Sequence, residues 1–119
     1  MQSVNLAEKF SRFSDHWHPR IVGALNGQLV KVAKLKGEFD WHHHAEQDEL
    51  FLVMQGTLTM ELRDGAVTIA AGEFFIVPRG VEHRPVAPEE VHVVLFEPES
   101  TFHTGNVITE KTRATLEWI

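Results

Sequence analysis

Between Ile21 and Phe96 the chain is broken by Asn26-Gly27, Gly37, Gln55-Gly56, Asp64-Gly65, Gly72 and Arg79-Gly80, and the stretches between these turn signals are short. Such punctuation leaves no room for a long helix in the middle of the chain. Within it, Thr57–Leu62 alternates, with Leu58, Met60 and Leu62 on one face and Thr57, Thr59 and Glu61 on the other. That period of two is the mark of a half-buried strand. Asp64-Gly65 tolerates positive φ, so Val67 and Ile69 can return antiparallel. Phe74–Val77 and Val91–Phe96 are denser apolar runs, which suit strands covered on both faces. The pattern predicts an all-β chain folded as a small antiparallel sandwich or barrel.

The flanks read differently. Ser3 is placed to cap a short N-terminal helix carrying Leu6, Phe10 and Phe13 at i, i+4 and i+7, a single apolar face that must dock on something. His16, Trp17 and His18 follow in an irregular stretch closed by Pro19, and read as a tether or interface segment. Residues 1–20 are therefore taken as helix and tether, 21–100 as the barrel, and 101–119 as a polar C-terminal extension wrapping the surface. The 119 residues suffice for one domain with a core of its own. With Trp17, the helix face offers apolar surface in need of cover, and a homodimer is expected.

A net charge of -6 argues against a nucleic-acid partner, which needs a basic face. Lys31, Lys34 and Lys36 do cluster, and are expected on a solvated strand face or edge. The N-terminal MQSVNLAEKFSRF has no apolar signal-like core, and no run approaches membrane-spanning length, so a soluble cytoplasmic protein without a membrane partner is expected. Cysteine is absent, which removes thiolate ligands and nucleophiles and fits a reducing compartment.

The chemistry concentrates in Trp41–Gly56, WHHHAEQDELFLVMQG. In an extended strand His42 and His44 share a face, roughly 6–7 Å apart, while Trp41 and His43 point the other way. Two imidazoles so placed can converge on one ion at about 2.0–2.2 Å per bond. Glu49 can swing back at the start of the next strand, after the short polar turn Ala45–Asp48. Alone, a His-x-His pair is as compatible with a solvated surface strand. A second segment, Gly72-Glu73-Phe74-Phe75-Ile76-Val77-Pro78-Arg79-Gly80-Val81-Glu82-His83, adds a turn glycine, an apolar strand, a Pro-x-Gly corner and a histidine at the next strand start.

Together these segments resemble the two motifs of the cupins. His42, His44, Glu49 and Gly56 match the first, and Gly72, Pro78, Gly80 and His83 the second. Gly37 sits one residue nearer His42 than the usual pattern, which a bulge or shorter turn would absorb, and Ala87 stands where the second motif ends in asparagine. The resemblance implies a small jelly-roll barrel with a divalent metal held by His42, His44, Glu49 and His83. Three imidazoles and a carboxylate suit Fe, Mn, Ni, Zn or Cu, and four protein ligands leave two positions of an octahedral ion open. Among small single-domain members, the chain resembles the cupin domain of mannose-6-phosphate isomerase-like proteins.

Strand parity sends Phe51 and Val53 to the side of Glu49, as pocket lining or plain core. His92, on a strand of blurred alternation, is a candidate for the same small-molecule site. Arg79 and Arg84 flank the second motif and could meet an anionic substrate or be solvated. The resemblance leaves three functions open: a dioxygenase- or isomerase-type metalloenzyme acting on a small polar substrate, a non-catalytic module that binds or senses a small molecule, and a barrel with a vestigial site. The chain has no tyrosine to add a catalytic signature beyond the metal.

Overall fold

A computed structural model describes residues 1–113 and 115–119. One short helix, α1 (Leu6–Phe10), precedes seven strands: β1 (Arg20–Leu25), β2 (Gln28–Glu38), β3 (Glu49–Gln55), β4 (Thr57–Leu62), β5 (Gly65–Ala70), β6 (Phe74–Val77) and β7 (His83–Pro98). The chain is all-β, as its turn signals require, and the named strand pairs are antiparallel.

The two longest strands set the architecture. The C-terminal half of β7 lies between β2 and β3 in the order β1-β2-β7-β3-β6, while its first residues pair with β4, whose other edge carries β5. β7 thus passes from one sheet of a sandwich into the other. The hydrogen bonding runs as an open path rather than a full circle, so the expected barrel is an open one. The β2/β7 register shifts between Leu35 and Gly37, and Gly37 has φ 90°. The shift lies before Gly37, with its extra residues on β7, and Gly37 and Glu38 then pair in register with Ala87 and Val86.

Inward-facing residues form the main core, around Leu58, Met60, Phe51, Val53, Val91 and Val93. The alternation read in Thr57–Leu62 is what buries Leu58 and Met60. A second cluster covers the outer face, where Phe10 packs on Val22, Val32 and Val94 with Leu6 and Phe13 beside it. The apolar face of α1 therefore docks on its own sheet, and no longer argues for a partner.

Four local expectations are corrected. The helix is capped by Asn5, not Ser3, because Asn5 Oδ1 accepts from Glu8 N at 3.0 Å. Trp17 is no free surface: it is buried in the main core and donates from Nε1 to Lys36 O at 2.8 Å. Phe74–Val77 is covered on one side only, since β6 is an edge strand whose Phe74 and Ile76 are 61% and 48% exposed. Lys31 is sealed inside at 1% exposure, paired with Glu97 at 2.7 Å, whereas Lys36 is solvated.

Candidate metal centre

His42–His44 is not a regular strand. It is an extended segment joined to the start of β7, where His42 N donates to His83 O at 3.1 Å and His83 N to His42 O at 2.9 Å. The extended backbone keeps the alternation, so His42 and His44 are buried while His43 is only half-buried. On the far side, Gly80 N donates to His44 O at 2.7 Å, tying in the Pro-x-Gly corner. Glu49 opens β3 with its side chain inward.

Each of His42, His44, Glu49 and His83 offers one donor atom, and these four atoms lie within 4.8 Å of one another. Nδ1 of His42 meets Asp40 O at 2.8 Å, and Nδ1 of His83 meets Val81 O at 2.9 Å. A carbonyl only accepts, so the ring proton sits on Nδ1 in both, and each Nε2 presents its lone pair. Glu49 Oε1 lies 3.1 Å from His44 Nε2 and 3.6 Å from His83 Nε2. These three atoms are buried without a hydrogen-bond partner. A carboxylate oxygen and an imidazole lone pair turned on one another in a dry interior, as Glu49 Oε1 and His83 Nε2 are, are costly unless a cation stands between them. The donor set therefore fits a divalent ion.

The electrostatics agree. Burial, followed by the nearby His83, lowers the His42 pKa to about 4, so its ring is neutral and free to ligate at ordinary pH. Burial would raise Glu49, but the close approach of Glu97, His44 and His83 holds it well below the usual carboxylate range. Burial and the charge of Glu49 push Glu97 well above that range.

Beside the donors lies a cavity of about 30 Å³, lined by Trp17, Leu35, Phe39, Phe51, His42 and His103 among others. Phe39 stacks on Trp17 at 4.8 Å and meets the His42 ring edge-on at 5.2 Å. Phe51 lines the cavity, as parity suggested; Val53, one inward step further along β3, is core. His92 is not in this cavity. It faces the outer side of β7, stacks on Phe10 at 4.8 Å and meets Glu90 at 3.0 Å, because Val91, Val93 and Leu95 take the inward parity. Arg79 pairs with Asp48, and Arg84 with Glu61 and Glu38.

Sequence reasoning missed three contributors. Glu97 and Lys31 share inward parity with Leu95 and Ala33, and an ionisable group at such a position was the available signal. His103 had none, since it sits in the irregular C-terminal segment. That segment does more than wrap the surface: Thr101, His103 and Thr104 are buried, and Asn106 accepts from His43 N at 2.9 Å through Oδ1 while its own N donates to His43 O at 3.1 Å.

Among solved structures, the chain is 46% identical to a cupin-2 domain containing protein from Shewanella frigidimarina NCIMB 400, with a TM-score of 0.80 over 81% of this chain and 94% of that one. Protein NMB1881 from Neisseria meningitidis is 29% identical, with a TM-score of 0.76 over 82% of this chain and all of that one. The protein YdbB of Bacillus subtilis is 35% identical over 78 residues, 65% of this chain and 63% of that protein's length. The profile of the cupin domain matches residues 28–109, a span that holds all four convergent donors, and on that match the chain belongs to the cupin domain family.

Proposed function

We propose that this chain is a mononuclear metalloenzyme, of dioxygenase or isomerase type, acting on a small molecule inside the sandwich. The observation that carries the reading is the convergence of His42, His44, Glu49 and His83, three of them with orphaned donor atoms, beside a cavity. A divalent transition ion held there (Fe, Mn, Ni, Zn or Cu) would supply Lewis acidity or, as Fe(II), dioxygen activation.

The protein's own groups complete the site. Leu35, Phe39 and Phe51 keep water from the donors. His103 Nε2 donates to Lys111 O at 2.8 Å, and burial lowers its pKa, so its neutral ring keeps Nδ1 as an acceptor able to take a proton. Among the described residues no lysine or arginine lines the cavity, which favours an apolar-bodied substrate with oxygen donors over a phosphosugar. The likeness to mannose-6-phosphate isomerase-like proteins thus gains no support from the lining. About 30 Å³ holds little more than a water or two, so a substrate fits only when lining side chains shift.

Anaerobic elemental analysis of the native protein, then reconstitution with Fe(II) and a screen of oxygen uptake and turnover against small-molecule pools, tests this. One ion per chain and metal-dependent turnover are expected. Ligand retained without turnover would instead make the chain a binding or sensing module, and folded protein that takes up no ion would end the metal reading. We further propose that it acts as a homodimer in the cytoplasm.

A further inference from the structure

Lys31, Glu97 and Glu49 are three ionisable side chains sealed inside one sandwich, and strand register explains their meeting. Leu50 pairs with Phe96, so Glu49 and Glu97 come next across the β3/β7 ladder, both turned inward. On the other side of β7, Leu29 pairs with Glu97, and Lys31, two residues along β2, shares the inward face. Its Nζ donates to Glu97 Oε1 at 2.7 Å. The second oxygen, Oε2, is buried with no donor of its own, and the Glu97 carboxyl lies within hydrogen-bonding reach of Glu49.

As a way of filling a core this is poor, because desolvating an ammonium and a carboxylate costs several kcal/mol per ion, and apolar residues of similar volume often serve as well or better. As a support it is well formed. Glu49 reaches the donor cluster from a strand end, and its second oxygen needs a backstop if Oε1 is to stay aimed at His44 and His83.

We propose that Lys31 and Glu97 are positioning residues for the metal centre: the ammonium anchors Glu97, and Glu97 holds the Glu49 carboxylate in its ligating orientation. The inference rests on the metal reading above. Neither residue touches the ion, so both act through Glu49, as outer partners of metal ligands do.

The test is Zn(II) titration of the metal-free full chain against a competing chelator at one pH, with thermal melts of the same samples. Lys31→Met/Glu97→Leu should keep the metal-free melting temperature near or above that of the wild type, yet bind Zn(II) about 10- to 100-fold more weakly. Glu97→Gln, which keeps the shape, an acceptor for Lys31 and a donor for Glu49, should stay within about threefold of the wild type, far short of that loss. Glu97→Asp, which keeps the carboxyl group but draws it back from Glu49, provides a second reading should the double variant not fold, and should lose at least about fivefold. Wild-type affinity in the double variant or in Glu97→Asp overturns the inference alone, as does a Glu97→Gln as weak as the double variant. A wild type that binds no metal overturns the metal reading and this inference together.

Discussion

His43 and His44 are neighbours in sequence with opposite tasks, and the difference is one step of backbone alternation. His44 Nε2 is an orphan beside Glu49 Oε1, while His43 is held by its backbone to Asn106 on the other side. Titration with one metal at fixed pH should show His44→Ala and Glu49→Gln each weakening affinity by at least about tenfold, the loss seen even for residues that merely support a ligand. Glu49→Gln keeps the shape and the fold but loses the charge that helps hold the ion. His43→Ala should bind as the wild type does, and a loss equal to that of His44→Ala would move the ligand set onto His43. His42 adds a pH dependence to the metal-free protein. Its folded pKa of about 4 lies below the ordinary 6.5, so between those values the unfolded chain binds a proton that the folded one does not. Stability is then full above about 6.5 and falls as pH drops toward 4, by on the order of 3 kcal/mol. Chemical denaturation of chelated protein across pH 7 to 4 checks this, and a midpoint that stays flat or rises on acidification would contradict it. At this scale the four donors were legible because two motifs carry them at fixed spacings. Lys31 was not, because its inward parity with Ala33 is only a weak local signal and the partner that explains it, Glu97, lies 66 residues away.

Alternation within single strands was readable where one face is buried and the other wet, as in β4. It failed for β6 because composition does not say whether a strand lies at a sheet's edge: Phe74 and Ile76 are as apolar as any core pair, yet among the described residues no strand or helix covers their outer side. The C-terminal segment was the least legible element, since it has no periodicity and is held by close backbone approach. Gly105, at φ 60°, packs so closely that a Cβ there would lie 2.4 Å from His43 O and 2.7 Å from His42 Cδ2. Gly105→Ala must therefore displace either this segment or the His42–His44 segment. Gly27→Ala is the control, with a comparable φ of 76° and nothing within 4 Å of the added atom. Both variants incur about 1–2 kcal/mol of left-handed strain. Only Gly105→Ala should also weaken metal binding, by about threefold or more on the scale of a disturbed ligand support. Melting curves and metal titrations of the two variants side by side decide it; equal metal affinities would mean that the C-terminal segment merely covers the site.

Among the described residues, the outer side of β3 and β6 gathers apolar side chains that are open to solvent. Leu50 and Met54 of β3 and Phe74 and Ile76 of β6 point outward, as the pairings of Leu50 with Ile76 and Leu52 with Phe74 require, while Leu52 on the same face packs into the cluster beneath α1. Met54, Phe74 and Ile76 are exposed, and β6 ends its sheet with one edge unpaired. Contiguous apolar surface at an open edge marks an association site, and pairing two such edges would bury the patch and complete the ladder. The homodimer expected from the sequence is therefore better placed here than on α1, whose apolar face is already docked. A stable dimer needs about 800 Å² per partner, more than this patch of side chains alone supplies, so the flanking turns must join the contact. Light scattering at micromolar concentration should give twice the chain mass for the wild type. Phe74→Ser/Ile76→Ser should give the single mass while keeping its metal affinity, because both side chains point away from the donor cluster. A monomeric wild type would remove the dimer. A dimer that survives both substitutions would move the interface elsewhere, with the exposed Trp118 and Ile108 of the C-terminal segment the next apolar surface to test.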